Sequence, residues 1–428
     1  MKTVENVSLV PTSALGALAL YAIIFAPIFL PNEISVPFIV LVGLLIWIKD
    51  YRTVELAYFR LVWPLFGVWA VGTVAVLISI FFVESPQMWR DTMRDIGFSL
   101  TPISLIVIGY SLADNRGMWP LILKVFVVCG FVLAAMHTVA FVADPELLSA
   151  DYLDARSIEG GAGNLVVLLA LVFVVFQSRF DVGSLCPRYL PRFIVLPVLL
   201  ASFALSHSRT VSIVVVIMAL LLWGVGTRAN LRTLFVVVGL AVGLAFFVSV
   251  APADETGTFL SKLAHSFTEI ETYDYSDYAE MSAHWRGYEM NALLAEFASG
   301  NVLQQIFGRG FGAVVDLGFY MELSGVEFRY LPIFHNGYGY ILLKTGVLGL
   351  VLYLYFYIGV IRYAMRYSNS SARELTFSAR LLLGCVWSLV VMMLVVGGMA
   401  QIAGPAFVLL LGYLVRRISR LQSEPGRL

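Results

Sequence analysis

The chain has 428 residues, 60% hydrophobic and 13% charged, with 28 Lys/Arg balanced by 28 Asp/Glu. Soluble domains run nearer half apolar and a quarter charged, so this composition describes a polytopic membrane protein. A formal net charge of zero excludes a basic footprint for nucleic acid, and the three cysteines (Cys129, Cys186, Cys385), none in an outer segment, suit neither a disulfide framework nor a cysteine metal site.

Apolar runs of roughly 17–25 residues are long enough to cross a bilayer. About twelve are expected, near 12–30, 36–49, 61–83, 97–112, 118–142, 163–178, 190–206, 210–227, 231–250, 335–361, 376–398 and 402–416. Lys2 precedes the first run and no convincing small-residue cleavage site follows it, which fits a retained signal-anchor helix. With the N-terminus inside, inner segments hold 18 of the 28 Lys/Arg and outer segments 8, while Lys124 and Lys344 sit within apolar runs. That bias places both termini in the cytoplasm. The expected fold is an all-α polytopic membrane protein forming a single membrane domain over 1–428. One large outer loop, 251–334, lies between spans nine and ten. That placement divides the spans unequally, and no internal repeat of the secondary-transporter kind is visible.

In chain order, the first outer loop, Pro31 to Ser35, holds one acid, Glu33. It therefore lacks the paired carboxylates of a metal-dependent lipid-linked sugar transferase. Arg156 lies in a glycine-rich stretch, Asp154 to Asn164, just before the sixth span. Glycines there let backbone N–H groups approach a ligand, and a helix N-terminus favours an anion; a plain interhelical loop is the alternative. Ser208 and Arg209 occupy a very short outer link. A guanidinium this close to hydrocarbon is costly unless paired, so Arg209 is either a snorkelling anchor or a phosphate ligand, for which its planar fork is suited.

The outer loop carries twelve acids against four Lys/Arg, formally −8, which suits a solvated cap or a sugar-binding surface. Phe259, Leu263, Phe267 and Ile270 recur at helical spacing, as on a membrane-surface helix. A second helical pattern carries Trp285, Met290, Leu293, Leu294 and Phe297. Arg286 within it is placed either to pair with Glu289 at i+3 or to bind substrate. Gly308-Arg309-Gly310-Phe311-Gly312 reads as a turn. His335 and Asn336 then stand where the polar loop ends and a hydrophobic helix begins. An imidazole there is wet enough to exchange protons and fixed enough to be aimed. His137, His207, His265 and His284 show no metal-ligand spacing on one helix.

These elements together resemble the O-antigen ligase and polymerase superfamily of bacterial envelope enzymes, over roughly 150–360. His335, Asn336, Gly346 and Gly349 fill that family's pattern of His, then Asn/Ser/Gln, nine residues, Gly, two residues, and Gly/Thr/Tyr. Ser208-Arg209-Thr210 is similar to its Ser-Arg element, and Arg156 to Asn164 to its Arg–Gly–Asn element. Trp285-Arg286 followed by the Gly308–Gly312 turn is similar to the segment before its catalytic His. Pro commonly follows the family's Asn; here Leu165 does.

The resemblance implies a glycosyltransferase-C-like fold in the bacterial inner membrane. It implies periplasmic glycosyl transfer from an undecaprenyl-diphosphate-linked glycan, without metal, nucleotide or other cofactor. The acceptor is lipid A-core in the ligase branch, which the helix count and single large loop favour, or another lipid-linked repeat unit in the polymerase branch. It makes His335 the base and Arg209, Arg156 and Arg286 the diphosphate ligands, supported by Asn336, Asn164, Ser208 and Arg309. The −8 loop sits uneasily with a phosphorylated core, so the acceptor passes elsewhere or divalent ions bridge the two. A transporter or flippase for lipid-linked sugars is the alternative of another class, and Lys124 and Lys344 are its candidate mid-membrane charges.

Overall fold

The computed structural model of the protein describes residues 14–50, 56–79, 88–114, 117–144, 160–180, 182–186, 189–206, 208–225, 281, 285–323, 326–401 and 404–423. In chain order the helices are α1 Ala14–Phe29, α2 Asn32–Asp50, α3 Leu56–Ser79, α4 Met88–Leu112, α5 Met118–Ala143, α6 Gly160–Val175, α7 Arg192–Leu205 and α8 Arg209–Trp223. They continue with α9 Trp285–Ala298 and the short α10 Val302–Phe307. Two strands follow, β1 Val315–Leu323 and β2 Val326–Leu331, and then α11 Gly337–Tyr367, α12 Arg373–Val395 and α13 Pro405–Ser423.

Each expected span except 231–250, which lies outside the described residues, coincides with a helix. Among the described residues six helices are long and apolar enough to cross a membrane, with four shorter apolar ones beside them, as in a multi-pass membrane protein. At two of the boundaries that extend past the apolar runs, the charges that join the helix are paired. α4 begins at Met88 because Arg94 bonds Asp91 at 2.8 Å and Asp95 at 3.2 Å inside its first turns. α13 runs on to Ser423, with Arg416 on Asp114 at 2.7 Å and Arg417 on Glu374 at 2.9 Å.

A helix that is apolar on every face belongs in the middle of a bundle. α6 is one, with every residue from Leu165 to Val174 buried, and it packs against α5, α7 and α8. α13 lies as deep, against α4 and α12. Gly109 and Gly412 each stand directly against the other helix's backbone, leaving no room for a Cβ, the small-residue contact by which membrane helices approach closely. Elsewhere apolar faces point outward. Leu41, Leu45 and Ile48 on α2, and Val347, Val351 and Ile358 on α11, are exposed, as faces turned to lipid must be.

The segment before α11 holds an antiparallel hairpin that the helical expectation did not include. β1 pairs with β2 from Val315↔Leu331 to Leu323↔Val326, with a bulge between Asp316 and Met321. It rests on α9 through Tyr288 against Phe319 and Trp285 against Phe328, with ring centroids 6.0 and 6.1 Å apart. From Leu331 the chain runs directly into His335.

Candidate active site

His335 is the last residue but one before α11, and its backbone is held at several points. Its N–H donates to Glu289 Oε1. Its carbonyl accepts from the Gly397 N–H at 2.7 Å, and the preceding Phe334 carbonyl accepts from the Gln401 side-chain amide at 2.5 Å. Asn336 caps the helix, its Oδ1 accepting from the Gly339 N–H at 3.0 Å. An amide at this position therefore has a local cause, since it satisfies one of the orphan donors of α11.

The ring is anchored as firmly. Glu289 Oε2 lies 2.7 Å from His335 Nδ1, and the Glu289 side chain is 4% exposed while that of His335 is 47% exposed. Both carboxylate oxygens thus face one residue, one on its backbone and one on its ring. Among the described residues no hydrogen-bond partner stands at Nε2, on a side chain that is half open. Glu289 entered the sequence only as a neighbour of Arg286. No local pattern joins it to a histidine 46 positions later, and only the packing of α9 against α11 does so.

Arg286 lies one turn before Glu289 on α9, half-buried, about 4.5 Å along the axis. Tyr288, on the same helix, has its phenol pushed above its usual range by burial. Arg209 opens α8 behind the Ser208 N-cap, whose hydroxyl accepts from the Val211 N–H at 3.4 Å. The Arg209 side chain, all of Arg156, and the 259–270 helical pattern lie outside the described residues. Asn164 is buried in α6, which runs unbroken through Leu165. Arg309 clamps the end of α9, bonding Glu296 Oε1 at 2.5 Å, the Glu296 carbonyl at 2.6 Å and, just past the helix, Ser299 Oγ at 2.7 Å. Among the described residues no group of three His, Cys, Asp or Glu is arranged to hold a metal ion.

The glycines after His335 acquire a cause as well. Gly346 interrupts α11 at φ +65°, ψ −171°, a conformation open essentially to glycine alone. The break removes the helical donors that would meet the Leu343 and Lys344 carbonyls. The Gly308–Gly312 turn supplies them instead, Arg309 N–H to Leu343 at 2.9 Å and Gly310 N–H to Lys344 at 3.0 Å. Gly308 and Gly346 sit against each other's backbone segments with no space for a Cβ. Gly349 lies against the Thr345 side chain one turn earlier, which likewise leaves no space for a Cβ.

Below this joint lies a buried charge pair. Lys344 does not snorkel outward. It is fully buried, 2.7 Å from Asp95 Oδ2, and also donates to the Ala313 carbonyl. Asp95 accepts in addition from the Gly312 N–H at 2.8 Å and from Arg94 at 3.2 Å. A lysine inside an apolar run is explained by its partner on α4, which sequence spacing does not reveal.

An apolar helical bundle carries a polar segment of helix and hairpin, with a half-open imidazole anchored where the two meet. Residues 193–354, which contain α8, Glu289 and His335, match the family model described as O-antigen ligase. Over these residues the chain is similar to the O-antigen ligase family, whose members are glycosyl-transferring ligases or polymerases. No curated protein matches the chain.

Proposed function

We propose that the protein is an O-antigen ligase, moving a glycan from undecaprenyl diphosphate to a hydroxyl of lipid A-core. On this proposal it is one glycosyltransferase-C-like membrane domain in the bacterial inner membrane, with cytoplasmic termini and 251–334 as its periplasmic cap. The observation that carries the proposal is His335, ring half-exposed, its Nδ1 and backbone both bonded to the buried Glu289 within an O-antigen ligase family domain.

The chemistry follows from the residues. Nε2 of His335 takes the proton of the acceptor hydroxyl as its oxygen attacks the anomeric carbon. The bond from that carbon to the diphosphate oxygen breaks, and its electron pair leaves with the carrier lipid. Attack opposite the diphosphate inverts the anomeric centre. A positioned base of this kind contributes roughly 10²–10⁴ in rate. Arg286, with Arg209 and Arg156, holds the diphosphate and stabilises the charge that grows on it. Holding two lipid-anchored substrates together supplies much of the rest.

Polymerisation of lipid-linked repeat units uses the same step with a different acceptor. Deleting the gene in its host separates the two: loss of a ligase leaves finished polymer on the carrier, loss of a polymerase leaves core capped with one repeat. A transporter needs a mid-membrane charge that changes partners; of its two candidates Lys344 is sealed against Asp95, and Lys124 stands exposed on α5. The direct test is purified protein with lipid-linked donor and core acceptor, in EDTA and without nucleotide. Wild type should form product and His335→Ala none; unchanged turnover in that variant overturns His335 as the base.

A further inference from the structure

A histidine acts as a base only through a nitrogen that carries a lone pair, and a neutral imidazole has one such nitrogen. Which one it is depends on the group bonded to the other. At His335 that group is a carboxylate already committed on its other oxygen. Glu289 Oε1 accepts from the His335 backbone N–H, which fixes the plane and reach of the carboxylate. Oε2 is thereby presented to Nδ1 at 2.7 Å. With both oxygens accepting, the proton of the pair belongs on Nδ1. The lone pair then sits on Nε2, at the open side of a ring whose partner is 4% exposed.

We infer that Glu289 is the positioning residue of the site: by gripping backbone and ring together it holds His335 in the Nδ1–H form, so that Nε2 faces the acceptor hydroxyl. This rests on the reading of His335 as the base. When Nε2 takes the acceptor's proton, the ring becomes an imidazolium with both N–H groups in place. The buried carboxylate then faces a full positive charge and stabilises it at the moment it forms. Glu289 itself touches neither substrate and exchanges no proton.

The geometry makes an unusual ordering of variants the test. In Glu289→Gln the amide oxygen keeps the His335 N–H bond and the amide NH₂ turns to Nδ1. A donor there demands a lone pair on Nδ1 and puts the proton on Nε2, the wrong form. In Glu289→Ala neither form is enforced, and water entering the small gap lets both coexist. Turnover should therefore fall at least about 100-fold in Glu289→Gln, mostly in kcat, and less in Glu289→Ala, by analogy with the large loss when an orienting carboxylate becomes an amide in a catalytic triad. A purely structural carboxylate predicts the reverse, because Gln preserves shape and Ala does not.

The second measurement needs no turnover. In ¹⁵N-histidine-labelled protein, the His335 signals are those missing from His335→Ala, one of five histidines. They should show Nδ1 protonated and Nε2 bare in wild type, exchanged in Glu289→Gln. A bare Nδ1 in wild type overturns the inference, as does Glu289→Gln within about threefold of wild-type rate where His335→Ala is dead. If His335→Ala itself turns over normally, the base assignment falls instead, and the ¹⁵N pattern still decides what Glu289 does.

Discussion

Replacing Lys344 by Met removes one end of the buried pair and leaves the Asp95 carboxylate behind. Two unit charges 2.7 Å apart attract by ~6 kcal/mol at an effective dielectric constant near 20. Desolvation of both groups offsets part of that attraction, and breaking such a pair from one side costs about 3–5 kcal/mol. Asp95 keeps the Gly312 N–H and Arg94, so the lower half of that range applies. The Ala313 carbonyl also loses its donor, adding about 1 kcal/mol. The expected loss is about 4 kcal/mol, close to three decades in the unfolding equilibrium. Adding Asp95→Asn removes the stranded charge while an amide oxygen still serves Gly312, and should bring the loss back to within about 2 kcal/mol. The coupling between the two sites is then about 2 kcal/mol or more. SDS-titrated unfolding in mixed micelles, followed by tryptophan fluorescence, measures all three variants. A single Lys344→Met variant within about 1 kcal/mol of wild type, or a double variant as unstable as the two singles summed, refutes the pair as described.

Gly346→Ala should lower stability by about 3 kcal/mol or more, since alanine is strained at this φ and ψ and its Cβ would meet the Ile306 carbonyl and the Gly308 nitrogen. An unchanged thermal midpoint for that variant would show that the joint between α11 and the glycine turn is not rigid. Asp316 on the hairpin is held at a pKa of about 2, first by the Arg329 hydrogen bonds at 2.7 and 2.8 Å and then by the Gly318 N–H. Its folded value lies below the unfolded value of about 3.9. The clamp's contribution is therefore complete above about pH 4 and is lost as pH falls through about 2. Carboxyl ¹³C titration should place Asp316 near that lower value and return it toward about 3.9 in Arg329→Gln; a wild-type midpoint near 4 removes the clamp.

Most of the helical frame was legible because hydrocarbon-length apolar runs need no partner to be recognised. Legibility ended where polar groups are buried in company. Arg94, Asp91 and Asp95 stopped the fourth run short, although they lie inside α4. Lys344 read as a lone mid-membrane charge for want of Asp95. The alternation of Val315, Leu317, Phe319 and Met321 carried the period of a strand and went unassigned beside stronger helical signals. At the site, His335, Asn336, Gly346 and Gly349 stood out by pattern, and the structure supplies local causes for the last three. Arg309 ranked as a supporting ligand by its place in the glycine turn, yet its guanidinium ties that turn to Glu296 and Ser299. Glu289 was invisible as a partner of His335, because the contact exists only once two distant helices meet.

The interruption at Gly346 has a mechanical outcome. α11 is one helix in sequence but two bodies in practice, a short upper piece bolted to the glycine turn and a long lower shaft beginning at Val347. The shaft turns one apolar face outward and buries Tyr353, Phe356, Tyr357 and Val360 on the other, so its tilt is set by its neighbours α3 and α12. The upper piece takes its bearings from α4, α10 and the turn. The break frees the direction of the piece beside the imidazole from that of the shaft, one following the glycine turn and the other the bundle.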